Sequence, residues 1–295
     1  MNGTLTGQAI GEYIVGPLIG GGGMGEVYQA YPTQGGQAVA MKVMNAELAD
    51  DTSFQERFIR EARVMQALQH ENIVPILDYG VQDQLLYFVM SLVSGPSLER
   101  LLQRQAFTPR DTWKIAQPLC KAIMYMHEQG VIHRDIKPSN VFLQYQREGY
   151  HVFVGDFGLS KRPGTDQTLT RIGSRVGTAD YMSPEAQLGD KLDQRTDIYS
   201  LGVLLYEMML GRLPADPQYD HLHPVARTVQ PVLAPQSINP AFPKAVQLVL
   251  LKALQAKREE RYQAVETLAD DLYTALKQLT DEQRKAIYWL KIPTP

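Results

Sequence analysis

Cysteine is almost missing from this chain: Cys120 is the only one in 295 residues. A single thiol excludes an intramolecular disulfide, and its place in an apolar, helical stretch marks it as a buried side chain of a protein kept in a reducing compartment. Long hydrophobic runs are missing as well. The nearest, residues 198–210, is broken by Ser200, Gly202 and Glu207, so no segment reads as a bilayer span. Residues 1–8 are polar, with no basic stretch leading into an apolar one, so no secretory signal is expected. The expectation is a cytoplasmic protein, either in its own right or as the cytosolic domain of a longer, membrane-anchored one. An excess of charge of one sign is absent too. The net charge is −3 and the pI about 6.1, too balanced for a nucleic-acid or membrane-surface binder that works through a basic field.

What remains is a globular composition, 44% hydrophobic and 21% charged, which excludes disordered, collagenous and small disulfide-stapled classes. The length suits two domains or one two-lobed unit. Residues 13–19, 27–31, 37–44, 73–79 and 85–90 read as short strands between turns. One helix interrupts them at residues 53–70, where Phe54, Phe58, Ala62, Met65 and Leu68 recur at intervals of three and four. After the turn at residues 94–97 the pattern becomes helical, with predicted helices at 97–105, 109–129, 194–210, 244–255 and 264–279. The expected organisation is a β-rich part over residues 1–93 and a helical part over 94–295. Seven prolines between Pro214 and Pro243 predict an ordered surface loop rather than a linker.

Four short stretches carry chemistry. Residues Gly20 to Val27 fit G-x-G-x-x-G-x-V between two strands. Glycines there let backbone N–H groups approach phosphate oxygens with no Cβ in the way. A plain hairpin is the alternative, and the strand that follows, where a helix would be needed, disfavours a dinucleotide fold. Lys42, in Val39-Ala40-Met41-Lys42, sits inside an apolar strand where its ammonium needs a partner, unless it merely protects an edge. Glu61, on the core-facing side of the first helix, is the natural partner, with Arg57 one turn earlier as its other choice.

The most informative stretch is His133-Arg134-Asp135-Ile136-Lys137-Pro138-Ser139-Asn140. Asp135 suits a base that orients a hydroxyl and takes its proton, Lys137 a cation for a transferring phosphoryl group, and Asn140 an oxygen ligand for Mg²⁺. Chance spacing in a proline turn is the bland alternative. Asp156, at the end of the apolar run Val152-Phe153-Val154 and beside Phe157-Gly158, is a second metal-ligand position, or else a turn aspartate.

Taken together and in order, these residues resemble the eukaryotic-like serine/threonine protein kinase family in its bacterial form. The likeness runs from Leu18 to about Tyr262. It implies an α+β, two-lobed kinase fold: a small β-rich lobe with one main helix and a larger helical lobe. It implies ATP as phosphoryl donor with Mg²⁺, or Mn²⁺ in its place, and proteins bearing Ser or Thr as substrates, with no nucleic acid as partner. Lys42 matches the lysine at the α/β-phosphates and Glu61 its helix partner. Asp135 matches the catalytic base, Lys137 the serine/threonine-type lysine, and Asn140 and Asp156 the metal ligands. Ile19, Gly20, Gly22, Gly23, Gly25, Val27, Ala40, Met90, Ser91, Val93 and Phe142 fall at nucleotide-contact positions. Met90 resembles the gatekeeper and residues 91–93 the hinge. Met65, Ile76, His133 and Phe157 would stack as the spine of the active state. Asp197 corresponds to the anchor of the catalytic loop, and Glu185 would pair with Arg261.

Three departures stand out: Ser91 where glutamate is common in the hinge, Ser183 where alanine usually precedes Pro184-Glu185, and a long gap from Asp135 to Asp156 whose polar stretch, residues 144–150, reads as a slightly longer hairpin. Among the hydroxyls of residues 159–182 (Thr165, Thr168, Thr170, Ser174 and Thr178), the Thr168-x-Thr170 pair resembles autophosphorylation sites of bacterial members. A phosphate there would meet Arg134, and two copies could modify each other through self-association. Thr178 is expected to position the substrate beside Asp135. A non-catalytic nucleotide-binding scaffold is the rival reading. It predicts loss of Lys42, Asp135, Asn140 or Asp156, and all four are present. A small-molecule phosphotransferase would lack the segment that ends in Pro184-Glu185.

Overall fold

The structure, a computed structural model, describes residues 5–22, 25–44, 52–147, 149–156, 179–215 and 232–290. Six strands form one antiparallel sheet: β1 (Ala9–Ile10), β2 (Tyr13–Gly22), β3 (Gly25–Pro32), β4 (Val39–Met44), β5 (Ile76–Gln82) and β6 (Leu85–Ser91), in the order β1-β2-β3-β4-β6-β5. Every residue of β4 is buried. Successive side chains of a strand point to opposite faces, so Val39, Met41 and Val43 join Leu5, Ile10, Val15 and Tyr28 in a small outer core. Ala40 and Met44 face the main core, and Lys42 shares their side. The N-terminal segment thus roofs a sheet that would otherwise expose its outer face. β5 and β6 are joined by Asp83 and Gln84, at φ +48° and +62°, the left-handed pair that a two-residue hairpin requires.

The first helix, α1 (Thr52–Gln66), buries Phe54, Phe58, Ala62 and Met65, the stripe predicted from spacing. The expected strand over residues 73–79 starts only at Ile76. Pro75 has no N–H for a ladder, while Ile73 bridges Val154 and Val74 bonds to it instead.

The helical lobe contains α2 (Leu98–Leu102), α3 (Pro109–Glu128), α4 (Pro184–Leu188), α5 (Arg195–Leu210), α6 (Pro235–Ile238), α7 (Lys244–Ala253), α8 (Val265–Lys277) and α9 (Asp281–Lys285). α5 is apolar nearly all round and buried nearly all round, as a helix at the centre of its lobe must be. α3 and α7 pack on it, and α8 packs across both. Thr108 caps α3, its hydroxyl accepting from Asp111 N at 3.1 Å. Among the described residues, no helix is long and apolar enough to cross a membrane.

The apolar stretch Ile287-Tyr288-Trp289-Leu290 reads in the sequence as the end of a helix, and the structure departs from that. The helix stops at Lys285, Ala286 is extended, and Tyr288 and Trp289 are buried on the large lobe. The Trp289 indole donates to Met208 O at 2.8 Å, and Asn239 Nδ2 donates to Tyr288 O at 3.2 Å. Of the proline-rich segment, residues 216–231 lie outside the described residues; Pro235 opens α6.

Candidate active site

The hairpin of β7 (Val141–Gln146) and β8 (Gly149–Val154) lies on the seam between sheet and helices. Leu143 N bonds to Pro96 O at 3.0 Å on the segment that leaves β6, and Val154 N bonds to Asn72 O at 2.9 Å ahead of β5. Asn140 immediately precedes the hairpin and Asp156 follows it. Pairing of Val141 with Val154 brings its two ends together, and Gly155 N bonds to Asn140 O at 3.0 Å. Two residues distant in sequence become neighbours because the strands between them are apolar and alternate.

Asp135 sits on a loop held from below by Asp197, a fully buried carboxylate in the first turn of α5. Asp197 accepts from His133 N at 2.8 Å, Arg134 N at 2.9 Å and His127 Nε2 at 2.8 Å. These bonds hold Arg134 at φ +65°, a conformation costly for a non-glycine residue and typical of sites where the surroundings over-determine the backbone. Asn140 Nδ2 donates to Asp135 O at 2.8 Å and to Asp135 Oδ2 at 3.0 Å, and Lys137 Nζ lies 2.9 Å from the same Oδ2. The Asp135 carboxylate is therefore fixed by an amide and an ammonium. Because Asn140 uses its nitrogen on Asp135, its Oδ1 is the atom left as an oxygen ligand.

The predicted partner of Lys42 is corrected by the structure. The Lys42 ammonium pairs with Asp156 Oδ1, not with Glu61. Glu61 is half-buried and has no ion pair among the described residues; burial raises its carboxyl pKa above the usual value, against the pull of Arg134 and Arg57. An ammonium buried under a strand takes whichever carboxylate reaches it, and here the end of β8 is nearer than α1. Asp156 itself stands at φ +55°, a left-handed conformation that aspartate tolerates better than most residues.

The other expected nucleotide contacts gather on one face. Ala40 lies opposite Met90 and Val27 opposite Lys42 across the ladders, and directly opposed residues point the same way. Phe142 and Val93 pack against the same core from the helical side. Ile19, Gly20 and Gly22 lie on β2, with Gly20 paired to Val27 and Gly22 to Gly25. Ser91 uses its N–H on Pro75 O at 3.1 Å. Met65, Ile76 and His133 are all buried. Gly23, Phe157, Thr165, Thr168, Thr170, Ser174 and Thr178 lie outside the described residues.

Below the site, Glu185 and Arg261 form the expected pair, twofold and buried, at 2.6 and 2.7 Å. Arg261 also donates to Gln255 O, Ala256 O and Arg195 O. The unusual Ser183 has a use: its hydroxyl is buried, bonds to Thr196 Oγ1 and caps α4 at Ala186 N. Two contributors went unforeseen, His127 and Gln187. His127 had a signal, since Ala116, Cys120, Ile123 and His127 follow the buried 4-3-4 stripe of α3, and a polar residue on that stripe needs a partner.

The Protein kinase domain family profile matches residues 13–273. A probable serine/threonine-protein kinase of Streptomyces coelicolor is 38% identical over 276 residues, covering 90% of this chain and 40% of that protein. The serine/threonine-protein kinase PknH of Mycobacterium tuberculosis is 37% identical (92% and 43%), and PrkC of Bacillus subtilis 33% (92% and 42%). The chain thus spans less than half the length of these curated relatives. Among solved structures, the PknI kinase domain of M. tuberculosis superposes with a TM-score of 0.74 at 25% identity, covering 92% of this chain and 98% of that one. With its sheet, its helical lobe and the Asp135–Asn140–Asp156 cluster between them, the chain belongs to the protein kinase domain family.

Proposed function

We propose that this domain transfers the γ-phosphoryl group of ATP to serine and threonine hydroxyls of proteins. The observation that carries the reading is the convergence of Asp135, Lys137, Asn140, Asp156 and Lys42, drawn from a loop, a hairpin and a strand, onto one seam between the lobes. Asp135 orients the acceptor hydroxyl through its carboxylate and takes the proton as the oxygen attacks the γ-phosphorus, the bond to the β-phosphate oxygen breaks and ADP leaves. Asn140 Nδ2 and Lys137 hold that carboxylate in place. Lys137 also stands where it can meet the charge of the transferring group, and Lys42 where it can meet the α- and β-phosphates, so positioning and electrostatics supply most of the catalysis. Asn140 and Asp156 offer oxygen donors, the set a hard divalent ion prefers. Mg²⁺, or Mn²⁺ in its place, would be held by these two residues and would neutralise charge that develops on the phosphates. The adenine would lie between Val27 and Ala40 on one side and Phe142 on the other, with Met90 behind it and residues 91–93 along its edge. Thr178 would position the acceptor, and Thr168 and Thr170 would be modified between self-associated copies. A cytoplasmic location suits each of these roles.

The test is intact-mass analysis and phosphopeptide mapping after incubation with ATP and Mg²⁺. The wild type should gain phosphates on residues 159–178 and phosphorylate a generic protein. Asp135→Asn should lose both by about 10²- to 10⁴-fold, the range for removing a general base. A wild type that binds ATP but modifies neither itself nor the added protein would overturn the reading in favour of a nucleotide-binding scaffold.

A further inference from the structure

The chain from Ala179 to Met182 reaches α4 through Ser183, and one side chain outside the family motifs fixes its shape. Gln187, in α4, turns its amide back beneath the preceding turn. Nε2 donates to Ala179 O at 3.0 Å and to Met182 O at 3.1 Å. Both partners are carbonyl oxygens, so only the nitrogen end of the amide can serve, and each of its two N–H groups has one acceptor. The two bonds straddle the 3-10 turn Ala179–Tyr181, which Met182 N closes onto Ala179 O at 3.2 Å.

Gln187 Oε1, by contrast, is buried and finds no donor among the described residues. Burying an acceptor without a donor is unfavourable, and a methionine or leucine in the same space would avoid it. A side chain that leaves its acceptor unsatisfied while satisfying two carbonyls is held there for its donors. From the other side, Ser200 Oγ donates to Tyr181 O at 2.8 Å and Glu207 accepts from the Tyr181 hydroxyl. α5 and α4 therefore grip the segment between them.

We infer that Gln187 is a positioning residue for the protein substrate: it holds residues 179–182 in the shape against which the chain flanking the accepting hydroxyl lies. The inference rests on the proposed placement of Thr178, one residue upstream, beside Asp135. Gln187 touches neither ATP nor the catalytic aspartate, so its effect should fall on one substrate only.

Steady-state kinetics with a serine-containing model peptide tests this on the whole chain. Gln187→Met keeps length and volume and removes both donors. Its KM for peptide should rise about three- to tenfold, as two lost hydrogen bonds allow, with KM for ATP and the melting temperature unchanged. Gln187→Glu keeps the shape and turns an acceptor toward the two carbonyls, so its peptide KM should rise further. A peptide KM unchanged in Gln187→Met overturns the inference, as does a joint rise of both KM values with a lowered melting temperature, or a Glu variant no worse than Met. Thr178→Val separates the premise from the inference. Wild-type kinetics there, alongside a raised peptide KM in Gln187→Met, would remove Thr178 from the substrate site and leave Gln187 in its role. Undiminished transfer by Asp135→Asn would instead overturn the catalytic reading.

Discussion

Gly20 and Gly25 occupy one hairpin and are glycine for different reasons. A Cβ on Gly25, at φ +156°, would lie 2.2 Å from Val43 O in the neighbouring strand, so the fold itself forbids a side chain. A Cβ on Gly20 would meet nothing closer than the Val27 side chain at 3.9 Å. The fold accepts alanine there, and only an approaching phosphate backbone would not. Gly25→Ala should therefore lower the melting temperature, by the about 1–3 kcal/mol of an overpacked site. Gly20→Ala should leave it unchanged and raise KM for ATP. Scanning fluorimetry beside ATP kinetics reads both, and a Gly20→Ala protein with wild-type KM would return that position to an ordinary hairpin. Residues of this kind are legible in sequence because a motif fixes their type and spacing. The partner of Lys42 was not. Spacing placed Glu61 on the inward face of α1, but which carboxylate reaches an ammonium depends on how close α1 and the end of β8 come to β4, and no local pattern encodes that.

α4 hangs from the helical lobe by Glu185, and that attachment is sensitive to acid. Burial pushes the Glu185 carboxyl pKa up, yet the hydrogen bonds and charge of Arg261 outweigh it and hold the group below its ordinary value. A carboxyl with a depressed folded-state pKa contributes stability that is complete above its unfolded value, about 4.3, and is lost as pH falls through the lower folded value. The melting temperature of the wild type should accordingly fall below about pH 4.3 more steeply than that of the double variant Glu185→Leu/Arg261→Met, in which the pair is absent. Arg261→Met alone should be destabilised at neutral pH by about 3–5 kcal/mol, because it leaves a buried carboxylate unpaired. Equal acid slopes in wild type and double variant would mean the pair is too well solvated to matter. At this scale the sequence was most readable. The 3.6-residue period located α1, turn and capping signals set off α3, α5, α7 and α8, and short β-type runs between turns located β2, β3, β4 and β6. The failures share a cause: residues 73–75 and 286–290 take their conformation from a distant partner, Val154 in one case and Met208 and Asn239 in the other. Neither partner leaves a period in the local sequence.

At the scale of the molecule, the Lys42–Asp156 pair joins the sheet to the hairpin beneath it, and it joins the two groups that nucleotide binding would separate. On the proposed reading a divalent ion would draw on the Asp156 carboxylate and the phosphates on the Lys42 ammonium, so the pair would hold the seam only until nucleotide and metal replaced it with stronger links between the same elements. Binding to the folded state alone stabilises by about 2.7 kcal/mol at a hundredfold excess over Kd. For a chain of this size each kcal/mol raises the melting temperature by about 2–4 °C. A non-hydrolysable ATP analogue with Mg²⁺ should thus shift it by about 5–10 °C, and the analogue with EDTA by clearly less. In Asp156→Asn the metal-dependent part of the shift should vanish while the EDTA part persists, because the variant keeps Lys42, the glycine loop and the proposed adenine contacts. Should Mg²⁺ add nothing in the wild type, Asp156 would be holding Lys42 for structural reasons alone. Release of Lys42 also leaves Glu61 as the one half-buried carboxylate on α1 with no ion pair among the described residues. The same titration in Glu61→Gln therefore separates two events: a normal shift means nucleotide binds without α1, and a reduced one means that α1 closes onto Lys42 as Asp156 turns to the metal.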